Sequence, residues 1–324
     1  MLFEQAQATC ERITTAVSSY FVTDNRLSLN KILAAFIGGG HILFEDNPGL
    51  GKTLLVKVFA RVTDCNWNRI QFTPDLMPSD IVGTKIWKSN LSLFELEKGP
   101  IFTNFLLADE INRAMPKTQS ALLEAMEERQ VTIEGDTHHL SAPFTVMATQ
   151  NPIEMEGTYP LPEAQMDRFM IRLSMGYVDS LDQEAEILRR RIAWRKDDPT
   201  DGIQAVTTET EINELQKAAE EVYVDESILN YISTIVRSTR NNKKIRIGAS
   251  PRGSLALLKL SRALAVISGR NFVIPDDVKL IASDALLHRV IVDLEYALEG
   301  IEAASIINEI INSVEVPTNY RERP

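Results

Sequence analysis

The sequence predicts an α/β fold: a parallel sheet flanked by helices, followed by an all-α second part. Three observations predict it. From about residue 41 to residue 175, short apolar runs alternate with amphipathic ones, the pattern of buried strands and the helices that cover them. A strand-like run, Gly40-His41-Ile42-Leu43-Phe44, is joined to a helix-like run, Thr53 to Val62, by the glycine-containing string Asp46-Asn47-Pro48-Gly49-Leu50-Gly51-Lys52-Thr53. Near Trp194 to Gly202 the composition turns polar and proline-containing, and everything beyond reads as helix. With 324 residues the chain suits two domains. We expect an α/β domain over 1–195, a linker over 196–202 and a helical domain over 203–324.

The expected strands are His41–Phe44, Asn68–Phe72, Phe105–Ala108, Thr145–Thr149 and Phe169–Leu173, each a short apolar run bounded by polar or turn residues. In a sheet with the third strand central, the tip of the fourth is expected beside the second. Pro116 to Glu128 carries Ala121, Leu122, Ala125 and Met126 at helical spacing, which predicts a helix packed on the sheet. Val131 to Leu140 alternates around Gly135-Asp136 and predicts a β-hairpin. The segment from Pro74 to Pro100 is too long for a plain connection and should carry structure of its own. In the second part, Glu209–Val222 is amphipathic and Asp225 caps a helix running to about Thr239. Ser250-Pro251 caps another that stops near Gly269, Pro275-Asp276-Asp277 opens a fourth, and Ile301–Ile311 forms a fifth. No period of repeats recurs.

Charge narrows the function. The 34 Lys+Arg against 45 Asp+Glu leave a net charge of −11, so the chain has no general attraction for nucleic acid. The longest mostly apolar stretch, Ile32 to Phe44, is too short for a bilayer and broken by glycines, and Met1 to Arg12 does not resemble a secretory signal. Cys10 and Cys65, far apart, read as reduced thiols. A cytoplasmic location is expected.

A turn between a strand and a helix leaves the first N–H groups of the helix unpaired and aligned with its positive dipole end, which suits a bound phosphate. Gly49 and Gly51 let the backbone wrap the phosphates, Lys52 is placed to reach the β and γ phosphates, and the Thr53 hydroxyl is placed to ligate Mg²⁺. ATP and Mg²⁺ are therefore the expected ligands. The contact set is Asn47, Pro48, Gly49, Leu50, Gly51, Lys52, Thr53 and Leu54, together with Asp109. Asp46 stands where the motif has its first glycine, and nucleotide binding requires its carboxylate to point away from the phosphates. Asp109 and Glu110 end an apolar strand, 57 positions (109 − 52) after Lys52, at the sheet edge where open α/β sheets bind ligands. Asp109 would help hold Mg²⁺ through its hydration shell, and Glu110 would orient and deprotonate the attacking water. Asn151, after the fourth strand, would hold the water or the γ-phosphate, although an Asn-Pro pair is also a plain turn starter.

Several strings in order resemble the MoxR group of AAA+ ATPases from about Gly38 to about Val278: NPGLGKT, QFTPDLMPSDIVGT, GPIF, LLADEINRAMPKTQSALLEAMEERQVTI, ATQNPIEMEGTYPLPEAQMDRF and GASPRGSLALLKLSRALA. The resemblance implies an AAA+ P-loop NTPase core with a C-terminal all-α lid. It also implies a ring, commonly a hexamer, with each nucleotide between neighbouring subunits. It makes Arg168 the arginine finger that reaches the neighbour's γ-phosphate, and Arg252 the lid's sensor, serving its own or the neighbour's nucleotide. The segment at about 74–100 becomes a helix insertion and the hairpin at about 131–140 its counterpart, both facing the pore or a partner. That partner is implied to be a protein with a von Willebrand factor A domain, remodelled in a chaperone-like way. Tyr20-Phe21-Val22-Thr23-Asp24-Asn25 departs from the relatives' pattern, so Phe21 and Val22 are only candidates for the base pocket.

Other constellations carry less. His138 and His139, adjacent on a strand, point to opposite faces, and His41 and His288 lack partners at ligand spacing. Arg189-Arg190-Arg191 suits a solvated face, an intersubunit contact or nucleic acid; Arg113 suits a subunit interface or an ordinary ion pair. Two further function classes stay open beside the remodeller: a nucleotide-gated scaffold with little hydrolysis, which Asp46 keeps open and the intact Glu110 and Arg168 oppose, and a nucleic-acid motor, which Glu134 and Asp136 in the hairpin oppose.

Overall fold

A computed structural model describes residues 2–23, 26–90, 92–151 and 157–322. Asp24 and Asn25 of the upstream segment and Pro152 of the Asn-Pro pair lie outside the described residues.

Two helices, α1 (Phe3–Tyr20) and α2 (Arg26–Ile37), precede β1 (Ile42–Glu45), the phosphate-type turn and α3 (Lys52–Val62). Then come β2 (Trp67–Gln71), a short α4 (Pro78–Val82), a hairpin of β3 (Gly83–Lys88) and β4 (Leu93–Lys98), and β5 (Phe105–Asp109). The long 74–100 segment thus has structure of its own, as its length requires. Next are α5 (Pro116–Glu128), the hairpin β6 (Gln130–Ile133) with β7 (Asp136–His139), β8 (Thr145–Gln150), a single turn α6 (Glu163–Met166), β9 (Ile171–Leu173) and α7 (Leu181–Trp194). The remainder comprises α8 (Glu209–Glu221), α9 (Glu226–Asn241), β10 (Ile245–Ile247), α10 (Pro251–Ile267), α11 (Pro275–Leu286), β11 (Ile291–Val292), α12 (Leu294–Leu298) and α13 (Ala303–Ser313).

The main sheet is parallel in the order β2-β5-β8-β1-β9. The expected neighbourhood of the fourth sheet strand is corrected here: β8 is central and lies between β5 and β1, so its tip faces the phosphate turn after β1 and not β2. The physical reason lies in the burial patterns. Strand β8 is buried at five successive residues, Thr145 to Thr149, and needs a strand on each side, whereas β2 is half exposed and fits an edge. A second departure is the antiparallel ribbon of β10 and β11 inside the helical part, where sequence reading sees helix only.

The helices beyond α7 do not form an isolated body. One apolar core runs from Ala6, Cys10 and Ile13 of α1 through Leu33 and Phe36 of α2 to Leu257, Leu260 and Leu264 of α10 and Ile281 of α11. Both thiols are buried and free; burial pushes Cys10 up to about 12 and Cys65 up to about 11, so neither forms a thiolate readily. No described helix is long and apolar enough to cross a membrane.

A buried arginine joins the helical part to the sheet. Arg289 Nε donates to Asp167 Oδ1 at 2.8 Å, its Nη2 donates to the carbonyls of Asp167 and Phe169 at 3.1 and 2.6 Å, and its Nη1 reaches the carbonyl of Met170 at 3.2 Å. Its side chain is 2% exposed. Burial draws its pKa down, and Asp167 opposes that shift. Replacing it with Met would leave the Asp167 carboxylate without its counter-charge and remove a donor from four carbonyls, that of Ala285 included. Arg289→Met is expected to lower unfolding free energy by about 3–5 kcal/mol, read from urea midpoints at unchanged slope.

Candidate functional site

The turn after β1 has the conformation its glycines permit. Gly49 and Gly51 take φ of +84° and +74°, the left-handed region closed to most side chains, and Gly51 caps α3 so that Lys52 and Thr53 open the helix. Lys52 Nζ donates to the carbonyls of Asp46 and Asn47 at 3.3 and 3.2 Å, curling over the turn. Burial pushes its ammonium below the ordinary range, while Asp46 and then Asp109 pull it back. Asp46 does point away from the turn's interior. Its Oδ1 accepts from Ser174 Oγ at 2.6 Å, and its Oδ2 accepts from Met175 N at 2.9 Å.

One cavity of about 520 Å³ gathers Lys52, Thr53, Asp109, Glu110, Thr149 and Asn151. Each arrives at the C-terminal end of a parallel strand, in the turn that follows it, or, for Lys52 and Thr53, at the start of the helix that the turn opens. The parallel register pairs Gln71 with Asp109, and the two strand ends share a polar chain. Arg69 Nη2 donates to Asp109 Oδ2 at 2.7 Å and to Gln71 Oε1 at 2.8 Å, and Gln71 Nε2 donates to Glu110 Oε2 at 2.7 Å. Arg113, left open between an interface and an ion pair, meets the same Glu110 oxygen through its Nε at 3.0 Å. Thr149 Oγ1 donates to Asp109 Oδ1 at 2.6 Å and accepts from Glu110 N at 2.8 Å. Glu110 itself has φ of +56°, a strained value for a residue with a side chain, costing on the order of 1–3 kcal/mol. That backbone turn aims Glu110 across the strand tips, where an ordinary strand end would carry it onward.

Arg69, Gln71 and Thr149 were invisible as site residues in the sequence. The available signal was their position at the C-terminal halves of strands flanking the Asp-Glu pair.

A second cavity, of about 300 Å³, adjoins the first through Gly49, Leu50 and Leu54. Phe21 and Val22 line it, as the sequence suggests, but its larger walls come from elsewhere: Tyr20, Met175, Tyr177, Ile187 and Trp194. Tyr20 and Trp194 stack with ring centroids 6.1 Å apart. An apolar, aromatic slot next to an anion-binding turn suits a flat heterocycle attached to phosphates.

Arg168 and Arg252 are not brought to this cavity. Met170 N donates to His41 O, which fixes this level at the N-terminal end of β1, while the turn begins at Asp46, five residues (46 − 41) further along, a rise of about 17 Å. Arg168 therefore lies at the opposite end of the sheet from Lys52, in a recess with Glu124, Glu128 and Gln165. Its neighbour Asp167 pairs with Arg289. Arg252 lies at the same end: Ser250 Oγ donates to Asp167 Oδ2 at 2.7 Å, and Arg252 Nη2 meets Glu127 Oε1 at 2.6 Å.

The remaining clusters have structural partners. Arg189 and Arg190 pair with Glu186, and Arg191 with Asp197. His41 is held between Met126 O and Val146 N, and burial drops its pKa to about 3. His138 lies edge-on to Phe102. Among the described residues no group of three or more His, Cys, Asp or Glu converges as a metal site.

Comparison with known proteins agrees with this arrangement. Residues 41–171 match the model of the ATPase family associated with various cellular activities (AAA), and residues 237–310 match the AAA lid domain. An uncharacterized protein, YeaC, of Bacillus subtilis is 48% identical over 285 residues, 88% of each chain. A crystal structure of a candidate ATPase from Cytophaga hutchinsonii superposes with a TM-score of 0.89 at 39% identity, covering 98% of this chain and 97% of the other. Chaperone MoxR1 of Mycobacterium tuberculosis is 41% identical over 318 residues, 95% of this chain and 82% of its own. Similarity of that extent, spanning sheet and helical part alike, shows that the chain belongs to the MoxR family of AAA+ ATPases.

Proposed function

We propose that the chain hydrolyses Mg-ATP at sites completed by a neighbouring subunit of a hexameric ring, and uses the cycle to remodel a protein partner. The observation that carries this reading is the separation of the site. Lys52, Asp109, Glu110 and Asn151 share one cavity, whereas Arg168 and Arg252 sit together at the far end of the sheet. In a head-to-tail ring the far end of one subunit meets the cavity of the next. Both arginines then act in trans, which assigns the side that the sequence left open for Arg252.

In this scheme the turn's N–H groups and Lys52 hold the phosphates, and Asn151 orients the γ-phosphate or the water. Glu110 takes the water's proton, and Arg168 with Arg252 stabilises the charge that develops on the transferred group. The Thr53 hydroxyl and the Asp109 carboxylate are hard oxygen donors that fit Mg²⁺, which neutralises phosphate charge when bound. Arg69 holds Asp109 Oδ2, so Asp109 would reach the Mg²⁺ through its hydration shell beside that ion pair. The helical part over 203–324 serves as the lid, with the linker at 196–202.

The exposed pair Trp87 and Phe94, packed edge-to-face at 5.1 Å near the tip of the β3–β4 hairpin, is the surface we assign to the partner, a protein with a von Willebrand factor A domain. The scaffold reading depends on Asp46 facing the phosphates, and its contacts with Ser174 and Met175 weigh against it. The nucleic-acid reading loses its basic cluster to Glu186 of α7 and to Asp197 just beyond it. A cytoplasmic location is part of the proposal.

The test is ATP turnover per subunit against protein concentration. A rise to a plateau is expected, with assembly followed by sedimentation. A rate independent of concentration while the chain sediments as a monomer would overturn the shared site.

A further inference from the structure

We propose that Asp46 is a positioning residue that sets the width of the base pocket, by tying the phosphate-binding turn to the segment 174–176 after β9. The inference rests on the nucleotide reading above and concerns a residue that departs from the phosphate-loop pattern.

Asp46 is 6% exposed. Its carboxylate lies in a concave set of donors: Oδ1 accepts from Ser174 Oγ at 2.6 Å, Met175 N at 3.0 Å and Gly176 N at 3.3 Å, and Oδ2 accepts from Met175 N at 2.9 Å. Lys52 Nζ is 3.9 Å from Oδ2, beyond a hydrogen bond, and spends its own bonds on backbone carbonyls. The carboxylate therefore acts chiefly on the 174–176 backbone. Consecutive N–H groups converging on one anion make a strong, directional hold.

What that hold controls is visible in the cavity. Met175, Gly176 and Tyr177 form one wall of the 300 Å³ slot, and Gly49, Leu50 and Gly51 form the wall on the phosphate side. Asp46 begins the turn that carries the second wall, and its carboxylate holds the first. A further contact, Asn47 Nδ2 to Tyr177 Oη at 3.4 Å, joins the same two segments. Glycine at position 46 would leave the wall to find its place when the ligand arrives, and ordering it then would cost affinity for the base. The phosphates bind the turn itself and need no such wall.

The test compares two ligands of similar charge, Mg-ATP and magnesium tripolyphosphate, titrated calorimetrically into the full chain. Removing the Asp46 charge changes the field on both ligands alike, so the informative quantity is the ratio of their dissociation constants. Asp46→Asn is expected to reduce the preference for ATP over tripolyphosphate about tenfold. Ser174→Ala, which leaves the carboxylate in place and removes one donor, is expected to reduce it about threefold. A preference unchanged in both variants would overturn the tether, whether or not overall affinity shifts. A parent chain that binds neither ligand would instead overturn the nucleotide reading, so the two failures are distinguishable.

Discussion

Glu110→Gln is expected to bind ATP as the parent does and to turn it over about 10²–10⁴ times more slowly, the usual weight of a general base. The geometry explains why binding should survive. Glu110 meets the cavity at its rim, held by Gln71 and Arg113, while the phosphates are assigned to the turn and Lys52. A glutamine keeps the shape and the hydrogen bond to Gln71, with its amide flipped to suit, but cannot take a proton from water. Its backbone conformation at φ +56° is unchanged by the swap, so the strand tip stays as it is. Single-turnover measurements separate the two steps. Turnover within a few-fold of the parent would assign the base elsewhere.

Lys52→Ala and Arg168→Ala are each expected to be inactive alone and to recover activity when mixed. Lys52→Ala removes the cation over the turn and with it nucleotide binding. Arg168→Ala removes the charge supplied across the interface, worth about 10³–10⁵ in rate for fingers of this kind. In a mixed ring, an Arg168→Ala subunit offers a sound turn and its Lys52→Ala neighbour a sound arginine. Random assortment at equal amounts gives roughly a quarter of interfaces that combination, a large rise over two inactive parents. Titrating one variant into the other while following phosphate release makes the measurement. No recovery at any ratio would place Arg168 outside the shared site. Arg252→Ala belongs in the same experiment as a third partner, because Ser250 ties its helix to Asp167 beside Arg168.

What was legible from local pattern was legible in detail. The helix expected over Pro116 to Glu128 has those ends, and the 131–140 hairpin and the strand ending in Asp109 fall where alternation and apolar runs put them. Periodicity reports which face of a segment is buried, and the Gly-Lys-Thr string reports a turn that only certain residues can make. The family followed from the order of such strings. The short ribbon of β10 and β11 escaped because three residues against two carry too little pattern to outweigh the helices around them.

Local sequence dictated the elements, the glycine turn after β1 and the acidic strand end, because each depends on neighbours within a turn or two of chain. The tertiary structure alone decided the rest. It put β8 between β5 and β1, turned Asp46 toward Ser174 at a separation of 128 positions, and built the aromatic slot beside the glycine turn largely from α1 and α7. It also carried Arg252 to Glu127 at the end of the sheet remote from Lys52. These outcomes come from the packing of surfaces distant in the chain. The free energy that selects among packings is shared over many weak contacts, and no short segment records it.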